Sequence, residues 1–443
     1  MGEVHLSRNV PLRHEIDVFV AGGGPAGIAA CIAAARQGAS VYLAEGESCF
    51  GGMGTSGLVP FFCQFANGVD FLAGGVGEEV YHRLWKHCGV GPDETEDKKN
   101  DFLAIKAEIL KRVYDELLIE SGALFSLQTK VVAIEKSSAT SISHVYCAGK
   151  SGLFAVKAKA FVDCSGDGDL AAWAGAAFEK GDEKGRMMAA TLCSIWSDID
   201  WDTVKEDGRW PQEVLPQAIK DGIFSIPDLH LPGFARIGVH DGGGNLGHVF
   251  GVDGTDETSI TKALCSGRKQ LAEYERFYKT YLKGYEKMEL LASAALLGVR
   301  ETRRITTSYI LTAEDFKDRA SFEDEIGRYS YPVDLHSAKP DLDDFKKYES
   351  MFSKMRYGKG ESYGIPYRVL TPAQLDNVLV AGRCVGADRI MQSSIRVMPA
   401  CFITGQAAGV AAALAAESKS SIHALPVREI QGRLKSLGAF LPK

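Results

Sequence analysis

Three glycines give the first chemical clue. Gly22, Gly24 and Gly27 follow a short apolar run, Ile16 to Ala21, and open an Ala-rich stretch that ends near Gly38. In G-x-G-x-x-G spacing between a strand and a helix, glycines let the chain turn tightly and bring backbone against a pyrophosphate. They also let the helix pack close on the strand. N–H groups at the helix N-terminus then meet the phosphate charge. A second apolar run, Val41 to Leu43, leads to Glu45, an acid placed to bind ribose hydroxyls. Strand, turn, helix and acid together point to a dinucleotide site, against the plainer alternative of a bare glycine turn.

Two further groups have residue types suited to a substrate. Arg300, Arg303 and Arg304 form the basic run GVRETRR. Guanidinium groups bind carboxylates bidentately, so the run points to an acidic substrate; alternatively the arginines pair with local acids such as Glu301. Helical spacing would place Arg300 and Arg304 on one face. The second group is Tyr331-Pro332-Val333-Asp334-Leu335-His336. In an extended chain Asp334 and His336 share a face, and a carboxylate orients an imidazole as a general base near neutral pH. Such a pair suits deprotonating a hydroxyl while hydride leaves carbon. It equally suits a buried Asp–His bond that ties the segment down. His240 and His248, either side of a glycine run, are weaker candidates; His82, His87 and Cys49 read as structural.

The chain that must position these groups has 443 residues, enough for two domains or one elaborated domain. Its 45% hydrophobic and 24% charged residues are those of a globular protein. A net charge of -7 with no basic block argues against a nucleic-acid partner. The apolar run Ala26 to Ala35 is too short to span a bilayer. The start MGEVHLSRNVPLRHE has neither the apolar core of a signal peptide nor the hydroxyl residue of a myristoylation signal, so a cytoplasmic protein without a membrane span is expected. The 10 cysteines form no C-x-x-C pair, which suits reduced thiols and gives no metal site.

Along the chain, a glycine-rich stretch, Gly51 to Gly57, follows the first βαβ unit. A helix is expected from about Asp101 to Glu120, then several short strands from Leu124 to Val162. A second glycine turn, Cys164 to Leu170, ends the last of them. From about Ala171 to Tyr363 the composition changes, and LLASAALLGVRETRRI reads as a helix. Asn377 to Arg383 is again a strand running into a glycine turn, and an Ala-rich helix from about Pro399 to Ala416 closes the chain.

In this order the pieces resemble the FAD-dependent oxidoreductase family, within the glutathione-reductase-like flavoproteins. The likeness rests on VAGGGPAGIAACIAAARQGASVYLAE, GGMGTSGL, VDCSGDGDLA, GVRETRRI, YSYPVDLH, IPYRVL, NVLVAGRCVGA and SSIRVMPACFITGQAAGVAAA, and it covers nearly the whole chain. It implies an α/β protein: a glutathione-reductase-like FAD-binding Rossmann domain over 1–170 and 364–443, with an inserted α+β substrate domain over 171–363. It also implies FAD, held non-covalently. Carried over by position, Gly22, Gly24, Pro25, Ala26 and Gly27 would face the pyrophosphate, and Glu45 with Gly46 the adenosine ribose. Gly52 and Met53 match the loop beside the flavin, and Val132 the backbone contact to adenine. Asp167 lies near the pyrophosphate, and Gly382 and Arg383 under the ribityl chain. Arg396, Val397 and Met398 precede a helix whose N-terminus faces the flavin pyrimidine, where it stabilises the negative charge of the reduced ring.

Two departures narrow the chemistry. No paired cysteines follow Glu45, so disulfide reduction is not expected. Gly242-Gly243-Gly244-Asn245 lacks the preceding strand and third glycine of a nicotinamide site and reads as a loop. The expectation is an FAD-dependent dehydrogenase or oxidase moving hydride between flavin N5 and a small polar substrate, a hydroxy or organic acid, polyol or sugar. Its catalytic candidates are His336, Asp334, Tyr331, Arg300 and Arg304, and an unidentified electron acceptor or donor is its partner. The alternatives are a fumarate-reductase-like enoate reductase, a flavoprotein component of an electron-transfer complex, and a protein that takes NAD instead. Oligomeric state stays open.

Overall fold

The computed structural model describes residues 5, 7–88, 99–231 and 233–442, with backbone only at 87 and 88. The segment 1–4, read above for its lack of an apolar run, and the side chain of His87 lie outside the described residues.

Strand β1 (Leu12–Ala21) is buried without a break from Val18 onward, as a parallel strand covered on both faces must be. Helix α1 (Pro25–Arg36) starts on a proline whose fixed φ suits the first helical position. It carries no charged residue before Arg36, because every position from Pro25 to Ala34 is buried. β2 (Val41–Ala44) pairs parallel with β1, Val18 opposite Val41. Helix α2 (Ala107–Ser121) begins later than expected, because Leu103–Ala104 is drawn into a short strand with Phe61–Phe62. β3 (Leu124–Ser126) extends the parallel edge beside β2. An antiparallel meander follows: β4 (Lys130–Lys136), β5 (Ile142–Gly149) and β6 (Gly152–Asp163). The short helix α3 (Asp169–Ala174) comes after the second glycine turn.

A second sheet, in the order β8-β9-β7-β10, contains β7 (Ser194–Ser197), β8 (Gly233–Arg236), β9 (Gly242–Asn245) and β10 (Glu289–Ser293). With α4 (Glu257–Tyr281) it encloses its own core around Trp196, Phe277 and Tyr278. That core runs from Ala190 to Leu297. Phe316, Tyr329, Tyr363 and Ile365 instead pack in the core that holds α1, so the separate core is narrower than the 171–363 span of changed composition.

Two sequence expectations fail in this region. Gly242–Asn245 is a strand, not a loop: a Cβ on Gly242 would lie 2.6 Å from Ile199, on Gly243 2.3 Å from Pro60 and on Gly244 2.9 Å from Ser194. Glycine is there because neighbours press on the strand, not because the chain turns. LLASAALLGVRETRRI is not a helix but β10, an irregular crossing and the strand Arg303–Ile305, which pairs with Phe178–Lys180. Apolar residues at nearly every position of its first half fit either period, and sheet pairing decides.

The chain then passes α5 (Leu342–Lys354) and returns with β11 (Val378–Val380), which pairs parallel with the last residues of β6. The main sheet is therefore β3-β2-β1-β6-β5-β4 with β11 also on β6, a Rossmann-like parallel sheet in a mixed α/β fold. Helix α6 (Met398–Ser418) is long and apolar enough to cross a membrane, yet its apolar window is wholly buried. It lies on α1 backbone to backbone. A Cβ on Gly405 would stand 2.1 Å from the Ala26 carbonyl oxygen, and one on Gly409 2.2 Å from that of Ala30.

Candidate functional site

A cavity of about 1220 Å³ runs from the glycine turn after β1 to a group of three histidines. At its outer end, Gly22 has φ +88°, and a Cβ there would meet the Cys164 carbonyl at 2.7 Å; one on Gly27 would meet the Gly22 carbonyl at 1.8 Å. Gly24 differs, since nothing lies within 4 Å of an added Cβ and the residue lines the cavity. α1 and α6 both start without a side-chain cap, and Pro25, Ala26, Val397 and Met398 line the wall. Their N-terminal N–H groups are thereby left for an anion. The Glu45 carboxylate accepts from Gly23 N at 2.6 Å and Glu47 N at 2.7 Å, so it also holds the turn in shape. Burial pushes its carboxyl up. Gly46, Gly52 and Met53 share the wall. Open space at Gly24, two uncapped helix ends and an acid beside them fit the pyrophosphate and ribose of a dinucleotide.

Asp167 and Arg383 hold each other at 2.6 Å, and Arg383 Nε donates to the Gly166 carbonyl at 2.9 Å. The second glycine turn is thus clamped to the turn at Gly382, and all three residues face the cavity. Val132 does not: it is 46% exposed, and Thr129, Lys130 and Val131 form the wall. Strand alternation turns Val131, and not Val132, toward the cavity.

The inner end holds the titratable groups. His336 Nδ1 lies 2.8 Å from His248 Nε2, and its Nε2 lies 3.4 Å from Asp334. His248 Nδ1 lies 3.1 Å from Asp228. His230 stacks on His248 with centroids 4.2 Å apart and meets His336 edge-on at 4.7 Å. Burial, followed by the Arg300 charge, pushes His336 and His248 well below the usual imidazole range. Burial and then the neighbouring His248 do the same to His230. The imidazoles are therefore neutral at neutral pH. Arg396 donates to Asp334 at 3.3 Å, and Tyr331 donates to the same carboxylate at 3.4 Å.

The three arginines of GVRETRR go separate ways. Arg300 is buried on the cavity wall, where its Nη1 donates to the Ala189 carbonyl at 2.8 Å and Thr191 Oγ1 at 2.9 Å. Among the described residues no carboxylate pairs with it, and burial brings it down to about 10. Arg304, a catalytic candidate by sequence, lies off the cavity in ion pairs with Glu301 and Glu179. Arg303 pairs with Asp169 at 2.7 Å. Extended backbone at Arg303–Ile305 removes the shared helical face expected for Arg300 and Arg304.

The family model for FAD dependent oxidoreductases matches residues 17–434. The chain belongs to the FAD-dependent oxidoreductase family. It is accordingly an FAD-dependent enzyme, and the dinucleotide cleft is the place in the fold that suits that cofactor. No curated protein matches the sequence. Solved structures similar to this flavoenzyme include a geranylgeranyl bacteriochlorophyll reductase-like protein from Thermoplasma acidophilum, at 11% identity and TM-score 0.45, over 96% of this chain and 84% of that one. The myxobacterial chondrochloren halogenase CndH is 11% identical with TM-score 0.43, over 96% and 79%. The p-nitrophenol 4-monooxygenase PnpA from Pseudomonas putida DLL-E4 is 13% identical with TM-score 0.42, over 96% and 84%. At these scores the likenesses carry no argument about this flavoenzyme's reaction.

Sequence reasoning missed Asp228 and His230 and undervalued His248. One signal was present: Asp228-Leu229-His230 repeats the tripeptide Asp334-Leu335-His336, and the two copies meet around His248.

Proposed function

We propose that this flavoenzyme oxidises a small organic acid at a carbon bearing a hydroxyl. The observation that carries the reading is Arg300, a buried guanidinium with no carboxylate partner among the described residues, on the same cavity wall as the histidines. Among the described residues its two side-chain hydrogen bonds both use Nη1, so Nη2 and Nε remain for a substrate carboxylate. The hydroxyl end then lies at the histidine group, and its proton is lost there. Asp334, held by Arg396 and Tyr331, orients His336. FAD, when bound, supplies the hydride acceptor at its N5.

In this reading the cofactor domain is glutathione-reductase-like. Gly22, Gly24 and Gly27 cradle the pyrophosphate, Glu45 takes the ribose, and the N-terminus of α6 faces the flavin pyrimidine. The unit built on Ala190–Leu297 caps the substrate, and a separate electron acceptor completes turnover. Unpaired, mostly buried thiols support a reducing compartment.

Anaerobic titration tests the reading. 2-Hydroxy acids are expected to bleach the oxidised flavin band, and Arg300→Lys to weaken acids far more than neutral alcohols. If no acid, alcohol or sugar bleaches the flavin while enoates reoxidise the reduced enzyme, the reaction runs the other way and the proposal falls.

A further inference from the structure

The ligand nitrogens of His230, His248 and His336 lie within 4.8 Å of one another. His248 is hydrogen-bonded to Asp228 at 3.3 Å and to His336 at 2.8 Å, and Asp334 stands 3.4 Å from the far nitrogen of His336. Ionised carboxylates only accept, and two neutral imidazoles bring one N–H each. If each ring gives its N–H to its own carboxylate, His248 Nε2 and His336 Nδ1 face each other as bare lone pairs. His230 Nε2, buried and unpartnered among the described residues, adds another bare nitrogen.

We propose that His230, His248 and His336 together bind one divalent transition-metal ion, with Asp228 and Asp334 fixing two of the rings through their outer nitrogens. A cation between His248 and His336 takes both lone pairs and leaves each ring N–H to its own carboxylate. Imidazole ligands suit zinc, iron, copper and nickel. Three protein ligands with a fourth position left open is the arrangement of catalytic zinc, whereas structural zinc is closed by four. Carboxylates on the outer nitrogens set tautomer and ring orientation, as ligating histidines require. For tetrahedral geometry at about 2.0–2.1 Å per bond, the two facing nitrogens open from 2.8 Å to about 3.3 Å, and His230 turns out of its parallel stack on His248 so that its lone pair meets the same ion. No metal spacing shows in the sequence because the ligands come from three separate segments.

The cavity leads to this point, so the open position suits a hydroxyl oxygen of the substrate; that clause alone rests on the function proposed above. The metal site stands on the three rings and their two carboxylates.

The test uses the FAD-bound protein, treated with chelator and titrated with Co²⁺ and Zn²⁺ without substrate. One equivalent per chain is expected, with Co²⁺ giving visible bands of a nitrogen-ligated ion at wavelengths beyond the flavin. His230→Ala and His248→Ala should abolish stoichiometric binding. Asp228→Asn should retain it with affinity reduced about 10- to 100-fold. The exposed His82→Ala should bind as the wild type does, and flavin content and circular dichroism should show each variant folded. Wild-type protein that takes up neither ion stoichiometrically overturns the proposal, as do folded His230→Ala and His248→Ala variants that keep it. Metal binding without flavin bleaching by any acid would refute the proposed reaction alone. Bleaching without metal binding would refute the metal alone.

Discussion

Alanine at Gly24 should separate folding from cofactor binding. Gly24 has φ -69° and ψ -176°, a conformation open to any residue, and nothing lies within 4 Å of an added Cβ. Gly24→Ala should therefore leave the flavin-free protein as stable as wild type, or more stable by up to about 0.4–1 kcal/mol, because alanine restricts the unfolded chain. The added methyl stands at the N-terminus of α1, where the pyrophosphate is proposed to sit. Displacing one charge-assisted N–H to phosphate bond removes about 1.5–3 kcal/mol, or about 10- to 150-fold in FAD affinity. Calorimetric titration of stripped protein with FAD measures the second effect, and thermal melts without FAD measure the first. Gly27→Ala is the contrast: its Cβ would lie 1.8 Å from the Gly22 carbonyl oxygen, so it should damage the flavin-free fold itself. A Gly24→Ala protein that binds FAD like wild type would show that the pyrophosphate does not cross this turn. If it melted early without FAD, the open space inferred at Gly24 would be wrong.

Two more predictions concern buried charge. Arg304→Met should destabilise the fold by about 3 kcal/mol, because Glu301, 0% exposed, keeps only Arg389 and the Met188 N–H. Urea denaturation checks this, and a loss below about 0.5 kcal/mol would reopen Arg304 as a substrate residue. Asp163 is fully buried, and burial, aided by the Asp169 charge, pushes it up from 3.8 to about 6. Below the ordinary carboxyl range it is protonated in both states. As pH rises, only the unfolded chain loses that proton, so stability falls until the folded group ionises near 6. Relative to Asp163→Asn, wild type should lose about 3 kcal/mol between about pH 4 and pH 7. Parallel stability curves for the two proteins would refute it.

What the sequence revealed was local. The Gly22–Gly27 turn, Glu45 and the Ala-rich α1 are legible because strand, turn and helix are neighbours along the chain, and their burial pattern follows from that order. The same holds for the meander after Leu124 and for α6. Residues whose role depends on distant neighbours were not legible. Arg300 and Arg304 look alike in GVRETRR, and only Glu301 and Glu179 beside one, and the cavity beside the other, tell them apart. Gly242–Asn245 reads as a loop until Ile199, Pro60 and Ser194 press on it. His230 carries only the faint signal of the repeated Asp-Leu-His, because its place is set by stacking on His248 from another segment.

The backbone contact between α1 and α6 has a consequence for how the protein is made. Ala26 and Ala30 touch Gly405 and Gly409, and the last residues of β6 await β11 for their second neighbour. Helix α1 is therefore synthesised long before α6, which supplies much of its packing surface. Contacts between such distant parts of a chain form slowly and leave apolar surface uncovered meanwhile. The glycine turn is synthesised early, but the pocket around it closes only when α6 arrives, so cofactor loading waits for α6.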